Sequence, residues 1–129
     1  MKETNLSSEQ GPARIYRVYT LNKDGVHIVE QAEKPLLGGY LSMKKYGSPD
    51  YCPSATRHHR LAKLLTGNMP NLVYFDSTEA AVAEGFTPCS NCWIKGEKAL
   101  GRWHEYLEAC RTLGVNPGST PKVIIKLVN

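Results

Sequence analysis

The chain has 129 residues, 41% of them hydrophobic and 22% charged, and this size and composition predict one small globular domain. No run approaches the ~18 consecutive apolar residues that a membrane helix needs. The polar N-terminus lacks the apolar core of a signal peptide, so we expect a cytoplasmic protein with reduced cysteines and no membrane partner. The net charge of +4 is mild and compatible with an anionic partner.

The N-terminal part of the sequence predicts a tail and a hairpin. Residues 1–12 are expected to form a flexible tail, and a single domain then covers 13–129. Side chains alternate along 13–21 and again along 26–30, as they do in strands. The intervening Asn22–Gly25 has the composition of a tight turn, so the two strands are predicted to pair as a β-hairpin.

Glycine and proline punctuate the middle of the chain. The Gly38–Gly39 pair and the Gly47–Asp50 segment predict irregular chain before Cys52. A helix is then predicted over Pro53–Thr66, with Gly67 as its left-handed cap. The aromatic segment 71–75 predicts a short strand.

The C-terminal half predicts two helices and a strand. A short helix is expected over Thr78–Glu84, before Gly85, and a longer one over Lys95–Thr112, closed by Gly114. The longer helix carries an apolar stripe of Leu100, Trp103, Leu107 and Cys110. Residues 121–128 are predicted to form a final strand. The fold class is therefore α+β: an N-terminal hairpin, a central core, a longer C-terminal helix and a final strand.

Cys89-Ser-Asn-Cys92 is a C-x-x-C motif, a spacing that lets two thiolates face one tetrahedral metal site from a tight turn. Redox proteins share this motif. A thioredoxin-type pair, however, follows a buried strand and opens a helix at its first cysteine. Here the pair follows Gly85 and a Phe-Thr-Pro loop, which favours a zinc knuckle.

Residues 71–92 closely resemble the second half of the metal-binding domain of the Ada family of DNA-repair proteins. They contain, in order, an aromatic strand, a short helix with Glu-Ala, and Gly-aromatic-x-Pro-Cys-x-x-Cys. The resemblance extends over about 46–93 and implies a zinc-stabilised core that binds DNA. In the first half, Tyr46, Pro49 and Cys52 match, but Gly47 or Ser48 stands where the family has its first ligand.

That first ligand is the methyl-accepting cysteine in Ada itself, so its replacement argues against methyl transfer. An alternative alignment puts Cys52 at the first cysteine. The second ligand would then fall near Thr56, which cannot replace a thiolate.

Three cysteines thus predict a Zn²⁺ site that lacks its fourth ligand, for which five side chains are candidates: His27, His58, His59, His104 and Cys110. His58 is our choice, because on the predicted helix it shares the apolar face with Leu61 and Leu65. His59 is the alternative. Cys110 belongs to the apolar stripe and is expected in the core. The predicted metal ligands are therefore Cys52, His58, Cys89 and Cys92.

A site closed by four protein ligands is structural, so the sequence favours a non-enzymatic zinc domain. Five basic residues near the predicted site favour nucleic acid, DNA or RNA, as its partner: Lys44, Lys45, Arg57, Arg60 and Lys63. One alternative is a protein-interaction module with aromatic anchors among Tyr40, Trp93, Trp103 and Tyr106. A second is an enzyme, either a methyl acceptor or a nuclease, although no catalytic constellation is recognisable.

Overall fold

A mixed six-stranded sheet is the framework on which the described residues are arranged. The computed structural model describes residues 15–49 and 72–128. The predicted tail 1–12, and the predicted helix 53–66 with its cap Gly67, lie outside these ranges. Within them the chain forms a small α+β domain, as the sequence predicts.

The strands, numbered along the chain, are β1 (Tyr16–Asn22), β2 (Gly25–Gln31), β3 (Leu37–Tyr40), β4 (Lys45–Gly47), β5 (Leu72–Phe75) and β6 (Thr87–Pro88). Their order across the sheet is β2-β1-β5-β3-β4-β6. Strand β1 is antiparallel to β2, and β3 is antiparallel to both β5 and β4. Strand β1 runs parallel to β5, and β4 runs parallel to β6.

Three α-helices and one 3₁₀ turn accompany the sheet in the described ranges. They are α1 (Thr78–Ala83), the 3₁₀ turn Gly96–Lys98, α2 (Ala99–Leu113) and α3 (Lys122–Val128). Among these residues no helix is both long and apolar enough to cross a membrane.

The predicted N-terminal hairpin is confirmed. Strands β1 and β2 pair in register from Tyr16 opposite Gln31 to Asn22 opposite Gly25. The Asn22 side chain accepts a hydrogen bond of 2.8 Å from the backbone N–H of Asp24. Gly25 has a φ of +113°, a conformation that glycine adopts without steric cost, so the turn residues define the hairpin as expected.

The prediction of irregular chain at Gly38–Gly39 and at Gly47 is wrong, because these glycines lie in strands β3 and β4. A side chain at Gly39 would place its Cβ 2.8 Å from Cε2 of Phe75. The rings of Phe75 and Phe86 contact each other edge to face, with centroids 4.9 Å apart. The glycine therefore marks a close approach within a strand, not a break in it.

The prediction of a final strand over 121–128 is also wrong, since Lys122–Val128 is helix α3. The Pro121 carbonyl accepts hydrogen bonds from the N–H groups of Ile124 and Ile125, which start the helix. Ile124 is buried against the core, whereas Ile125 is 43% exposed. The β-branched composition suggested a strand, but packing beside α2 overrides this weak propensity.

The two other predicted helices are confirmed with shifted ends. Helix α1 ends one residue early, and Ser77 is its N-cap, accepting a hydrogen bond from the N–H of Ala80. Helix α2 begins at Ala99, because Gly96 has a positive φ and a 3₁₀ turn precedes the helix. Gly114 closes α2 in the left-handed conformation, as predicted.

The core is continuous from the sheet to the helices. Within α2, Trp103 and Cys110 are buried as predicted, while Leu100 and Leu107 pack at its edge. The predicted apolar stripe of this helix does not include Tyr106, which is also buried. Other members of the cluster are Leu37, Tyr46, Phe75, Ala80, Ala81, Val82, Phe86, Ile94, Ala99, Ala109 and Ile124.

Tyr46 in β4 is fully buried, and its hydroxyl has no hydrogen-bond partner among the described residues. Burial raises the pKa of Tyr46, and the nearby Glu105 carboxylate raises it further. The unfolded chain loses this proton at about pH 10, whereas the folded chain keeps it above that pH. Folding stability must therefore fall as the pH rises above about 10, by up to ~1.4 kcal/mol per pH unit for this one proton.

We expect Tyr46→Phe to be as stable as the wild type at neutral pH, or about 1 kcal/mol more stable, because an unpaired buried hydroxyl is removed. The variant should also lose less stability in alkali. Urea unfolding of both proteins at about pH 7 and about pH 11 measures this difference. An identical alkaline loss in the two proteins would contradict the assignment of that proton to Tyr46.

Candidate metal centre

The Cys89–Cys92 motif forms a tight turn at the end of β6. The N–H of Cys89 donates a 2.9 Å hydrogen bond to the Tyr46 carbonyl of β4. The Cys89 carbonyl in turn accepts hydrogen bonds from the N–H groups of Trp93, at 3.0 Å, and Ile94, at 2.9 Å. These backbone bonds fix the path of the chain on both sides of the motif. The predicted turn is therefore confirmed.

The turn also directs a backbone donor at one of its sulfur atoms. The N–H of Asn91 donates to Sγ of Cys89 over 3.4 Å. A hydrogen bond to sulfur favours the charged thiolate, which is the form that binds metal. Cys89 is buried, Cys92 is half-buried, and the described cysteines form no disulfide with one another.

Gly47, the last residue of β4, leaves room for the second thiol. A Cβ at position 47 would lie 2.6 Å from Sγ of Cys92 and 3.2 Å from Cβ of Trp93. Because real Cβ atoms essentially never come that close to a sulfur, a side chain at this position would force the Cys92 thiol or the turn to shift. Gly47 therefore lies directly beside the cysteine pair.

Trp93, which follows Cys92, is held by helix α2. The guanidinium of Arg102 lies 3.7 Å from the centroid of the Trp93 ring and donates a 3.2 Å hydrogen bond to the Trp93 carbonyl. This cation–π contact ties the end of the turn to α2. Arg102 was not predicted from the sequence, because it lies nine positions after Trp93, in helix α2.

The candidate ligands are only partly within the described residues. Cys52, His58 and His59 lie outside them. Within 15–49 and 72–128, no three His, Cys, Asp or Glu side chains are grouped to hold a metal. The turn supplies two predicted ligands, so a complete site requires others from the remaining chain.

Three of the alternative ligands, His27, His104 and Cys110, are described, and none of them groups with both cysteines of the turn. His27 is exposed on β2, where it is hydrogen-bonded to Asn22. Strand β2 lies five strands from β6, which is about 24 Å at ~4.8 Å per strand. His104 is exposed on α2, and Cys110 is 1% exposed within the core, as the apolar stripe predicts.

Two of the five predicted nucleic-acid contacts are described: Lys45 is the first residue of β4, and Lys44 lies in the turn before it. The Lys44 ammonium lies 4.9 Å from the centroid of the Phe86 ring. The Lys45 ammonium donates a 2.8 Å hydrogen bond to Oγ1 of Thr87. Both lysines therefore lie beside β6, which leads into the cysteine turn. The other three, Arg57, Arg60 and Lys63, lie outside the described residues.

Comparison with known proteins gives no relative: no protein-family model, no curated protein and no solved structure matches the chain. The Ada-like resemblance of residues 46–93 stays a prediction.

Proposed function

We propose that this protein is a zinc-stabilised domain that binds nucleic acid. The zinc ion is held by Cys52, Cys89, Cys92 and His58, with His59 as the alternative to His58. The observation that carries the proposal is the Cys89–Cys92 turn, with its amide donor to Sγ of Cys89 and the close packing of Cys92 against Gly47. Thiolate and imidazole donors suit zinc, and four protein ligands make the ion structural.

Chain length supports the participation of Cys52. Cys52 follows Gly47 by five residues, and an extended chain spans at most ~3.6 Å per residue, or about 18 Å in all. Because Gly47 adjoins Cys92, the third thiol is within reach of the turn. His58 follows Cys52 after a further six residues in the sequence. Reduced thiols suit the cytoplasmic location that we propose for the chain.

The basic residues supply the reason for nucleic acid as the partner. Lys44 and Lys45 lie beside the strand that enters the cysteine turn, and Arg57, Arg60 and Lys63 follow Cys52 in the sequence. Lysine and arginine contacts to phosphates release counterions, so binding must weaken as salt rises.

We expect fluorescence anisotropy with a short DNA duplex to show binding at low salt that weakens steeply with added salt. Lys44→Gln should lower the slope of log affinity against log salt by about 0.9, the value for one phosphate contact. Lys23→Gln, a matched charge change in the β1–β2 turn, should leave the slope unchanged. If neither DNA nor RNA binds even at low salt, the nucleic-acid proposal is wrong.

Methyl transfer is not part of the proposal, because Gly47 or Ser48 stands where the Ada-like resemblance implies a methyl-accepting cysteine. After incubation with DNA that carries methyl phosphotriesters, we expect the intact mass of the protein to be unchanged. A gain of one methyl group on Cys52 would instead favour the methyl-acceptor alternative.

A protein-interaction module is the second candidate function, and helix α3 is the observation that favours it. Its Ile125, Leu127 and Val128 are 43%, 55% and 62% exposed. Three of the predicted aromatic anchors, Tyr40, Trp103 and Tyr106, are buried and do not form such a surface. A stoichiometric protein partner that stays bound at high salt would favour this function over nucleic-acid binding.

A further inference from the structure

A cleft of about 420 Å³ lies between the cysteine turn, helix α2 and the chain that leads into α3. Its wall on the sheet side includes Lys45 and Thr87, and Ser90 lies within the Cys89–Cys92 turn. The opposite wall includes Ser119 and Lys122. The cleft is thus built from four segments of the chain, at position 45 and over 87–90, 103–106 and 118–122. Its volume is in the range of small-ligand sites, ~300–1,000 Å³.

Two contacts hold the far wall in place. The Tyr106 hydroxyl of α2 accepts a 2.8 Å hydrogen bond from the N–H of Gly118. A Cβ at Gly118 would lie 3.2 Å from Cγ2 of Thr87, so the loop passes close to β6 at a residue without a side chain. The loop is therefore hydrogen-bonded to α2 and passes close to β6.

The chemistry of the walls suits an anion. Among the described residues that line the cleft there are two lysines, Lys45 and Lys122, and no carboxylate. The hydroxyls of Ser90, Ser119 and Thr120 add hydrogen-bond donors. Lys45 is oriented by its 2.8 Å hydrogen bond to Oγ1 of Thr87, which leaves its other ammonium protons for a ligand.

We propose that this cleft is a phosphate-binding site in which Lys45 and Lys122 contact one phosphate group of the bound nucleic acid. The choice of nucleic acid as the source of the phosphate rests on the proposed function. A phosphate presents oxygen acceptors to both ammonium groups and to the serine and threonine hydroxyls. Lys122 and the 118–122 wall lie outside the Ada-like segment 46–93, so this contact extends the binding surface beyond it.

Backbone-amide NMR of the zinc-loaded chain tests the proposal, with a DNA duplex, a mononucleotide and inorganic phosphate as separate probes. With DNA we expect the amide signals of Lys45, Ser90, Ser119 and Lys122 to shift. Because Lys45 and Lys122 share one phosphate, Lys45→Gln, Lys122→Gln and the double variant should each lower the salt slope of DNA affinity by at most about 0.9. Lys126→Gln, on the same helix but not in the cleft, is the matched control and should leave the slope unchanged. Lys45→Gln also removes the hydrogen bond to Thr87, so its effect combines the loss of a ligand contact with a local structural change. Lys122→Gln tests the ligand contact without removing that hydrogen bond.

The other outcomes separate the two proposals. DNA binding that leaves the cleft signals unmoved would overturn the phosphate site and leave the proposed function standing. Shifts with mononucleotide or phosphate but no binding of DNA or RNA would support the phosphate site and contradict the proposed function. An absence of shifts with all three probes, together with no binding of DNA or RNA, would overturn both.

Discussion

Replacing Cys89 with serine is expected to abolish zinc binding and to destabilise the fold. The hydroxyl of serine does not ionise as a thiol does, so the site loses one of its negatively charged ligands. A metal that binds only the folded chain, present at about 1,000 times its dissociation constant, contributes ~4 kcal/mol to stability. We therefore expect Cys89→Ser to lower the free energy of unfolding by about this amount, and Cys92→Ser to do the same.

Urea unfolding with zinc and with a chelator measures this contribution. In the wild type the chelator should lower stability, whereas in the two serine variants it should have no further effect. Cys110→Ala is the matched control, since its thiol is buried in the core away from the turn. It should keep one zinc ion and lose only about 1 kcal/mol. Retention of zinc and of the chelator effect by Cys89→Ser would contradict the proposed site.

Urea unfolding with zinc and with a chelator also tests the predicted ligands that lie outside the described residues. Cys52→Ser should behave like Cys89→Ser, and His58→Ala should lose zinc while His59→Ala keeps it. If His59→Ala loses zinc instead, the alternative ligand is correct. Acid should also release the metal, because protonated thiols do not bind it.

Gly47→Ala is expected to weaken zinc binding without removing any ligand. Its new Cβ would lie 2.6 Å from Sγ of Cys92, so the sulfur or the turn must shift. Overpacking of this kind costs about 1–3 kcal/mol, and displacement of the sulfur adds a loss of metal affinity. We expect Gly47→Val to show a larger effect in the same direction.

Competition for zinc with a chelating dye measures the affinity of each variant. Gly101→Ala is the matched control, because its Cβ would meet nothing within 4 Å and the residue lies in helix α2. The control should keep wild-type affinity and gain up to about 1 kcal/mol of stability from helix propensity. Wild-type zinc affinity in Gly47→Ala would contradict the expectation that the packing of Gly47 against Cys92 affects the metal site.

Local signals in the sequence were sufficient for elements whose structure is defined by neighbouring residues. Asn22 and Gly25 define the hairpin turn, and Gly114 ends α2. Each of these signals acts through backbone conformation or a hydrogen bond within a few residues. For the same reason the Cys89–Cys92 turn could be predicted from its spacing alone.

Tertiary packing decided the elements that the sequence predicted wrongly. Gly39 lies in a strand because β3 pairs with β4 and β5. The position is glycine because the rings of Phe75 and Phe86, from distant segments, occupy the space of a side chain. Residues 122–128 form a helix because Ile124 packs against the core, although valine and isoleucine favour strands. In both cases the determining contacts are long-range.

In the candidate site, too, some features follow from local signals and others depend on long-range contacts. The two thiols of the turn follow from the motif, but the role of Gly47 requires the pairing of β4 with β6. The cleft between Lys45 and Lys122 requires, in addition, the position of the loop before α3. No sequence pattern connects these segments, so the cleft could not be predicted.

X-ray absorption at the zinc edge tests the central claim most directly. For the purified, zinc-loaded wild-type chain we expect one zinc ion with three sulfur neighbours at ~2.3 Å and one nitrogen neighbour at ~2.0–2.1 Å. Those neighbours correspond to Cys52, Cys89, Cys92 and a histidine. A chain that takes up no zinc, or a zinc ion surrounded only by oxygen and nitrogen, would contradict it.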